Sequence, residues 1–172
     1  MNKNKKHVYY IALTAVLAAM TTVLIQFAGI PVGPGRVHFG DAVILLAAVL
    51  LPTPYAMAVG AIGGGMHNMM FNLAMWAPAT VVVKAAITVP FSAKQDKLLA
   101  RRNLLALLPY WAITVGVYAV YEMLFISLDE AWTAILLRSA VSNTIQVLGS
   151  AVLFVAFAAV LQKIKFKQRI GL

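Results

Sequence analysis

Long apolar stretches, separated by short clusters of basic residues, divide this chain from end to end. A soluble domain carries about 25% charged residues, whereas here 62% of the 172 residues are hydrophobic and only 11% are charged. An apolar stretch of about 20 residues can cross the hydrocarbon of a bilayer as a helix. The pattern therefore predicts an all-α integral membrane protein and excludes a water-soluble globule.

Six stretches have the character of membrane segments: Val8–Ala28, Asp41–Leu51, Tyr55–Met75, Pro78–Ala93, Leu104–Leu128 and Ala131–Lys163. The second is too short for a full crossing, because a helix rises only about 1.5 Å per residue, so we expect a partial span. Pro52 and Pro54 follow it directly, and proline cannot continue a helix. The second and third segments should therefore form a tight hairpin within a single six-helix domain over residues 1–172.

The basic residues predict how the segments are oriented. Most of the 14 Lys and Arg residues lie in the N-terminal tail, between the fourth and fifth segments, or in the C-terminal tail. With six crossings these clusters share one side, which the positive-inside rule makes the cytoplasm. Both termini are then cytoplasmic, and Arg36, Asp129 and Glu130 lie outside. The first segment is expected to be retained, since its apolar run is long and no small-residue cleavage site follows it.

With this orientation, the polar residues inside the segments fall in one layer near their outer ends. Asn68 and Asn72 are expected on one face of the third segment, and Lys84 and Glu122 at matching depth. A charge left alone in lipid costs at least about 2.5–3.5 kcal/mol, so these groups face each other or a wet cavity. A Lys84–Glu122 ion pair with amides as interhelical contacts is the structural alternative to a ligand site.

The cavity interpretation accounts for the confinement of these groups to one layer. Aromatic rings at the same depth, including Tyr121, offer flat surfaces for stacking on a ring. The predicted ligand is small, polar and ring-containing, and it enters from outside. The candidate substrate-binding residues are Asn68, Asn72, Trp76, Lys84, Tyr118, Glu122, Asn143 and Gln146.

The connection Gly29–Asp41 lies above this layer. Its four glycines and two prolines predict an irregular loop, and a loop of this length beside a cavity is typical of a lid. Arg36 and His38 are the candidate lid residues, although a lone histidine at a membrane surface is more often interfacial than in contact with ligand. Asp41 is expected to cap the second helix through its first-turn N–H groups.

Motifs of catalytic chemistry are missing from the sequence. It contains no GxxxxGK[ST], HExxH or GxSxG pattern and no cysteine. His67 and His38 could share a metal ion, but the helix of His67 carries no carboxylate at the spacing that a further ligand would need. We therefore expect no enzyme activity, no metal and no cofactor.

Small residues predict close helix contacts on two segments. Gly60 and Gly64 continue into Asn68 and Asn72 as a stripe with a spacing of four, which lets a neighbouring helix approach closely. Ala15 and Ala19 give the first segment a nearly flat face. That face fits either internal packing on the glycine stripe or contact with another protein.

Five motifs follow one another along nearly the whole chain: His38-Phe39-Gly40-Asp41, Leu51-Pro52-Thr53-Pro54-Tyr55, the glycine-rich third segment, Trp76-Ala77-Pro78-Ala79-Thr80 before Lys84, and Asn143-Thr144-Ile145-Gln146 before a Gly-Ser pair. In this order they resemble the S component, the substrate-binding membrane subunit of an energy-coupling factor (ECF) vitamin transporter. The branch that takes up pyridoxine forms or hydroxymethylpyrimidine is the most similar. Members of that branch often carry an acidic residue after these glycines, where this chain has Asn68.

The resemblance implies a captor of a vitamin or vitamin precursor in a prokaryotic plasma membrane, with no nucleic-acid partner. A membrane coupling protein and two cytoplasmic ATPases, all separate chains, would drive it, and the S component would topple in the bilayer to deliver its ligand. S components meet the coupling protein through an Ala-xxx-Ala surface on the first helix, which Ala15 and Ala19 match.

Two other functions remain open from the residues alone. A self-sufficient carrier or channel would need coupling-ion sites and usually internal repeats, and no repeat is visible between the halves. A small intramembrane enzyme could use Glu122 with His67 or His38 as acid and base. Turnover of ligand by the isolated protein would favour the enzyme, and tight binding without turnover the captor.

Overall fold

The computed structural model describes residues 3–32, 35–95 and 97–171. Within these residues the chain forms one β-hairpin, in which β1 (Gly29–Val32) pairs with β2 (Gly35–His38), and a 3-10 helix at Ala74–Trp76. The α-helices of the described part are α1 (Lys3–Phe27), α2 (Gly40–Leu50), α3 (Thr53–Met70), α4 (Ala77–Ala86), α5 (Arg101–Leu105), α6 (Leu107–Phe125), α7 (Trp132–Lys163) and α8 (Phe166–Arg169).

The chain runs back and forth along a helix bundle, so its connections gather at two ends. At the hairpin end, α1 leads into the β-hairpin and α6 leads into α7. At the opposite end, called the basic end, His7 of α1 is hydrogen-bonded to Tyr55 of α3, and Lys167 of α8 donates to the main-chain oxygen of Ala93. The segments that carry the three basic clusters thus meet at one end of the bundle.

Proline chemistry explains the sharp turn between α2 and α3. Leu51 is extended, with φ −104° and ψ 152°, which is the conformation that a following proline favours. Pro52 precedes the helix, and Pro54 lies in the first turn of α3, where its missing N–H costs nothing. The predicted tight connection of these two helices is confirmed.

The short helix α2 lies in the centre of the bundle. All of its residues except Leu46 are buried, and it packs against α1, α3 and α7. A helix that is apolar on every side is typical of such a position. Its length therefore reflects enclosure by other helices rather than contact with lipid.

Three long helical stretches have the length and hydropathy to cross a membrane: Asn4–Phe27, Arg101–Phe125 and Trp132–Lys163. Large apolar side chains such as Val23, Leu124 and Val152 are exposed on their outer faces. A protein in water would bury much of this surface, whereas lipid tails accommodate it. The outer surface is that of a membrane protein.

The glycine stripe of α3 receives α4, as the small-residue pattern predicts. A Cβ atom on Gly60 would overlap the main-chain oxygen of Lys84, and one on Gly64 would lie 2.8 Å from Cγ2 of Thr80. On an adjacent face, a Cβ on Gly63 would lie 2.9 Å from the main-chain oxygen of Ala18 on α1. Glycine at these positions lets both neighbouring helices pack directly onto the backbone of α3.

The connection predicted as an irregular loop is instead an antiparallel hairpin. Gly29 pairs with His38 and Ile30 with Val37. The irregular loop was predicted from the glycines and prolines of this connection. Ile30 and Val37, however, are β-branched and favour strands. Pro31 is tolerated because a two-stranded ribbon has free edges that need no donor. The all-α description therefore needs this one small β element.

The third segment also ends earlier than predicted. Helix α3 stops at Met70, and Asn72 has φ 60°, in the left-handed region. Asn68 and Asn72 are therefore not on one helical face, as the spacing of four suggested. The chain turns at Asn72, a residue type that adopts this conformation at lower cost than most, and re-enters the bundle through the 3-10 helix.

Candidate functional site

A cavity of about 740 Å³ opens at the hairpin end, between α1, α3, α4 and α6. A smaller compartment of about 230 Å³ adjoins it toward α7, and His38, Trp76, Lys84 and Tyr118 line both. Every one of the eight residues predicted to bind substrate lines one of the two compartments. The residues of the larger one are Ile25, Gln26, His38, His67, Asn68, Met70, Phe71, Asn72, Leu73, Trp76, Thr80, Lys84 and Tyr118.

One wall of the cavity is aromatic. The ring centroids of Trp76 and Tyr118 are 6.3 Å apart, in an edge-on arrangement. The ring centroid of Tyr121 lies 6.0 Å from that of Trp76. Hydrogen bonds hold both tyrosines, because Tyr118 donates to Thr80 Oγ1 at 3.2 Å and Tyr121 donates to the oxygen of Met75 at 2.6 Å. This wall is a preformed apolar surface on which a planar ligand can stack.

A hydrogen-bonding group faces the larger compartment from α1 and α3. The two ring nitrogens of His67 lie 3.1 Å from Gln26 Oε1 and 3.1 Å from Asn68 Oδ1, and Asn68 donates to Thr80 Oγ1 at 2.7 Å. Amides and an imidazole offer both donors and acceptors. Such a group can match the ring nitrogens and carbonyls of a heterocycle.

Lys84 pairs with Asp41, not with Glu122. Its ammonium lies 2.7 Å and 2.8 Å from the two carboxylate oxygens of Asp41, and both side chains are buried. Tyr110 donates to the same carboxylate at 3.0 Å and Gln146 at 3.4 Å. A buried ion pair needs these further hydrogen bonds to offset its desolvation, so Lys84 brings a compensated charge to both compartments.

The expectation that Asp41 caps α2 is wrong, because its carboxylate pairs with Lys84 instead. The residue that precedes α2 is Phe39, and no side chain in the described part of the chain caps the helix. Asp41 lies within the first turn, and its carboxylate turns toward Lys84. An unpaired ammonium in the bundle interior would cost far more than the loss of a cap, which is worth about 1 kcal/mol.

Glu122 has a different partner, Arg138 on α7. Arg138 also contacts Glu130 at 2.8 Å, in a more exposed position. Glu122 remains on the wall of the smaller compartment, beside Ser142 and Asn143. The Lys84–Glu122 ion pair, which was the structural alternative to a ligand site, is therefore not formed, although both residues line the same compartment.

Gln146 joins the hairpin to α7. The backbone N–H of His38 donates to Gln146 Oε1 at 2.7 Å, and Gln146 Nε2 donates to the oxygen of His38 at 2.6 Å. These two bonds place His38 at the mouth of both compartments. The side chain of Arg36, the other candidate lid residue, lies outside the described part of the structure.

Ala15 and Ala19 lie on the outside of α1, both exposed. The alanine of this region that faces α3 is Ala18, which is only 3% exposed and whose main-chain oxygen would lie 2.9 Å from a Cβ atom on Gly63. Internal packing therefore does not account for the flat face formed by Ala15 and Ala19.

Several residues of the site were not predicted from the sequence. Gln26 was detectable, because it is a polar residue near the end of an apolar segment. Phe71 and Thr80 line the cavity as well, but neither is a strongly polar residue in an apolar segment, so the sequence pattern did not indicate them. Tyr110 was not detectable either, since it lies in the half of α6 that is nearer the basic end and reaches the site by donating a hydrogen bond to Asp41.

A polar, aromatic cavity enclosed by a bundle with an apolar outer surface defines a membrane protein that binds a small molecule. The family model of the ECF-type riboflavin transporter S component matches residues 5–163, nearly the whole chain. The chain therefore belongs to this family. It is the substrate-binding subunit of an ECF importer and a multi-pass protein of the cell membrane. No curated protein matches the chain.

Proposed function

We propose that the cavity at the hairpin end binds a flavin, with riboflavin the first candidate. The observation that carries the proposal is the pairing of an aromatic wall, Trp76 and Tyr118, with the hydrogen-bonding group of Gln26, His67 and Asn68 across one cavity. The flavin ring system is planar and has one apolar edge and one edge of carbonyls and ring nitrogens. Stacking and edge recognition are the two contacts that such a ligand needs.

The two compartments suggest how a flavin would be placed. The larger, about 740 Å³, has room for three fused rings, and Met70 and Leu73 offer an apolar surface to the dimethylated edge. The smaller, about 230 Å³, is lined by Glu122, Ser142 and Asn143. Carboxylate, hydroxyl and amide groups suit the hydroxyls of the sugar-alcohol chain.

A single-ring vitamin, pyridoxine or hydroxymethylpyrimidine, is the second candidate. It follows from the motif resemblance, and the size and polarity of the smaller compartment favour it. The two candidates differ in how much of the cavity they fill. A single ring would occupy one compartment, whereas a flavin would contact residues of both.

Titration of the purified full-length chain separates these candidates. Flavin fluorescence is expected to be quenched on binding, because the ring would stack on Trp76. Each compound is also added separately while thermal unfolding is followed. Saturable quenching and a raised melting temperature with riboflavin support the proposal, whereas stabilisation by pyridoxine or hydroxymethylpyrimidine alone would overturn it.

The membrane orientation is part of the proposal. Six crossings with the basic end in the cytoplasm follow from the positive-inside rule, and they open the cavity to the outside. The sequence contains no cysteine, so single cysteines at Asp129 and Lys97, both exposed, report each end cleanly. An impermeant maleimide should label Asp129→Cys in intact cells and Lys97→Cys only after permeabilisation. The reverse pattern would contradict the orientation.

Delivery of the ligand requires a coupling module, which consists of a membrane coupling protein and two ATPases. S components work with this module, and the exposed Ala15 and Ala19 are the proposed contact on this chain. Uptake should then require all the chains together. Uptake by this chain alone in vesicles would instead favour a self-sufficient carrier, and chemical conversion of bound ligand would favour the enzyme alternative.

A further inference from the structure

A second cavity, of about 720 Å³, lies at the basic end. Among the described residues, it shares no lining residue with the cavity at the hairpin end. Its walls come from the start of α1, the turn between α2 and α3, the segment after α4, helix α5 and helix α8. These parts of the chain are distant in sequence, and the fold brings them together around one space.

The charge of this cavity is entirely basic among the described residues. Lys94, Arg102 and Lys167 line it, and none of the four described acidic residues does. Lys94 and Arg102 are exposed and form no ion pair within the described part of the chain. Lys167 donates to the oxygens of Ala93 and Gln95, the latter at 3.0 Å, which fixes its ammonium beside the segment after α4. An anion is the complementary ligand.

The remaining walls are largely apolar. Pro52, Pro54 and Val89 form part of them, together with the ring of Tyr10. A free anion would gain nothing from this surface. A molecule that joins an anionic group to an apolar body would contact both halves of the cavity.

The cavity lies where the polar tail of α1 gives way to its apolar run. Tyr10 packs against Tyr55 with ring centroids 5.1 Å apart, and tyrosines are enriched at the level of lipid headgroups. Val89, which is 52% exposed, continues the apolar wall onto the outer surface of the bundle. An acyl chain could follow that surface while its headgroup occupies the cavity.

We propose that this cavity binds the phosphodiester headgroup of one anionic phospholipid from the leaflet that surrounds the basic end. Lys94 and Arg102 contact the phosphate. Lys167, on α8, adds a third positive charge to the same cavity. Basic pockets between membrane helices are suited to such headgroups. The proposal does not depend on which vitamin occupies the other cavity.

The test uses native mass spectrometry of the full chain in micelles that contain equal amounts of phosphatidylglycerol and phosphatidylcholine. The wild-type chain should retain one phosphatidylglycerol in preference to phosphatidylcholine. Loss of one contact between a basic side chain and the phosphate in the cavity should lower the preference about fivefold, the size of effect seen for one basic residue beside an anionic lipid. Lys94→Gln with Arg102→Gln should therefore lower the phosphatidylglycerol preference by about 25-fold, and Arg102→Lys should retain it.

The matched control is Lys97→Gln with Arg101→Gln, which removes the same charge from the same segment without touching the cavity walls. Equal preference in the wild type and the Lys94 and Arg102 double variant, or an equal loss in the control, would overturn the proposal. Thermal unfolding of each variant checks that the fold is retained, and the single variants, each expected to lose about fivefold, serve if the double variant does not fold.

Two further arms identify the source of the anion. Inorganic phosphate, added at the concentration of the lipid, should not displace phosphatidylglycerol, and displacement would assign the cavity to a free anion instead. Co-purification of the coupling module with the double variant should be unchanged. Its loss with unaltered lipid binding would point to an acidic protein surface and would contradict the lipid assignment.

Discussion

Lys84 and Asp41, which are 43 positions apart in the sequence, form a buried ion pair at the floor of the candidate vitamin site. The ammonium lies within 2.8 Å of both carboxylate oxygens. The pair links α4 to the central helix α2, and its lysine also lies 5.7 Å from the ring centroid of Tyr118. The same contact therefore serves the stability of the bundle and the shape of the site.

Removing one member of this pair should destabilise the fold strongly. Asp41→Asn leaves the ammonium of Lys84 buried without its counter-charge, and such a loss costs about 3–5 kcal/mol. Thermal and denaturant unfolding in detergent measure the effect. Glu130→Gln is the control, because its ion pair with Arg138 is exposed and worth at most about 1 kcal/mol. Equal effects of the two substitutions would contradict a structural role for the buried pair.

The smaller compartment is tested by Asn143→Leu, which keeps the size of the side chain but removes its amide. Loss of a buried polar contact should weaken ligand binding by about 1–3 kcal/mol. Thr144→Val is the neighbouring control, since the Thr144 hydroxyl accepts a hydrogen bond from Trp111 rather than facing the cavity. Glu122→Gln should also weaken binding. Unchanged affinity in both Asn143→Leu and Glu122→Gln, with the fold intact, would remove this compartment from the site.

The aromatic wall is tested by Trp76→Ala. Loss of the stacking surface should lower the affinity for a ring-containing ligand by about 1 kcal/mol or more and reduce the quenching of flavin fluorescence. Trp132→Ala removes the same side chain at the same end of the bundle, from a position that is 69% exposed. We expect no effect there. Similar losses in the two variants would indicate a general disturbance rather than a stacking contact.

The hairpin is tested through the hydrogen bond that Gln146 accepts from the backbone N–H of His38. If the hairpin closes over bound ligand, amide exchange in residues 35–39 should slow when ligand is added. Gln146→Leu removes the acceptor, so the His38 amide should exchange faster, and ligand should dissociate faster. Equal exchange with and without ligand in the wild type would indicate a static hairpin.

The outer face of α1 is tested by Ala15→Trp and Ala19→Trp. Because both alanines are exposed, these variants should bind ligand and unfold like the wild type, while ATP-driven uptake and co-purification with the coupling module are lost. Ala18→Trp is the internal control, since Ala18 packs against α3, and overpacking there should cost about 1–3 kcal/mol. Destabilisation of the isolated Ala15 and Ala19 variants would reject the docking assignment.

The sequence alone determined the features that depend on local chemistry. The order of hydrophobic segments follows from the cost of placing charge in lipid. The turn between α2 and α3 follows from Pro52 and Pro54, and the contact of α4 with α3 follows from the missing side chains of Gly60 and Gly64. Depth along the bundle was also readable, because each helical residue adds a constant rise. For this reason all eight predicted binding residues line one pair of compartments.

Only the tertiary structure decided which residues at similar depth meet. Counting residues predicts height but not the rotation of a helix or the order of its neighbours, so Glu122 and Asp41 were indistinguishable as partners for Lys84. The central position of α2 between α1, α3 and α7 brings Asp41 to Lys84, and Arg138 then meets Glu122. The same packing buries Ala18 and leaves Ala15 and Ala19 outside. These choices depend on contacts between distant segments, which no local pattern encodes.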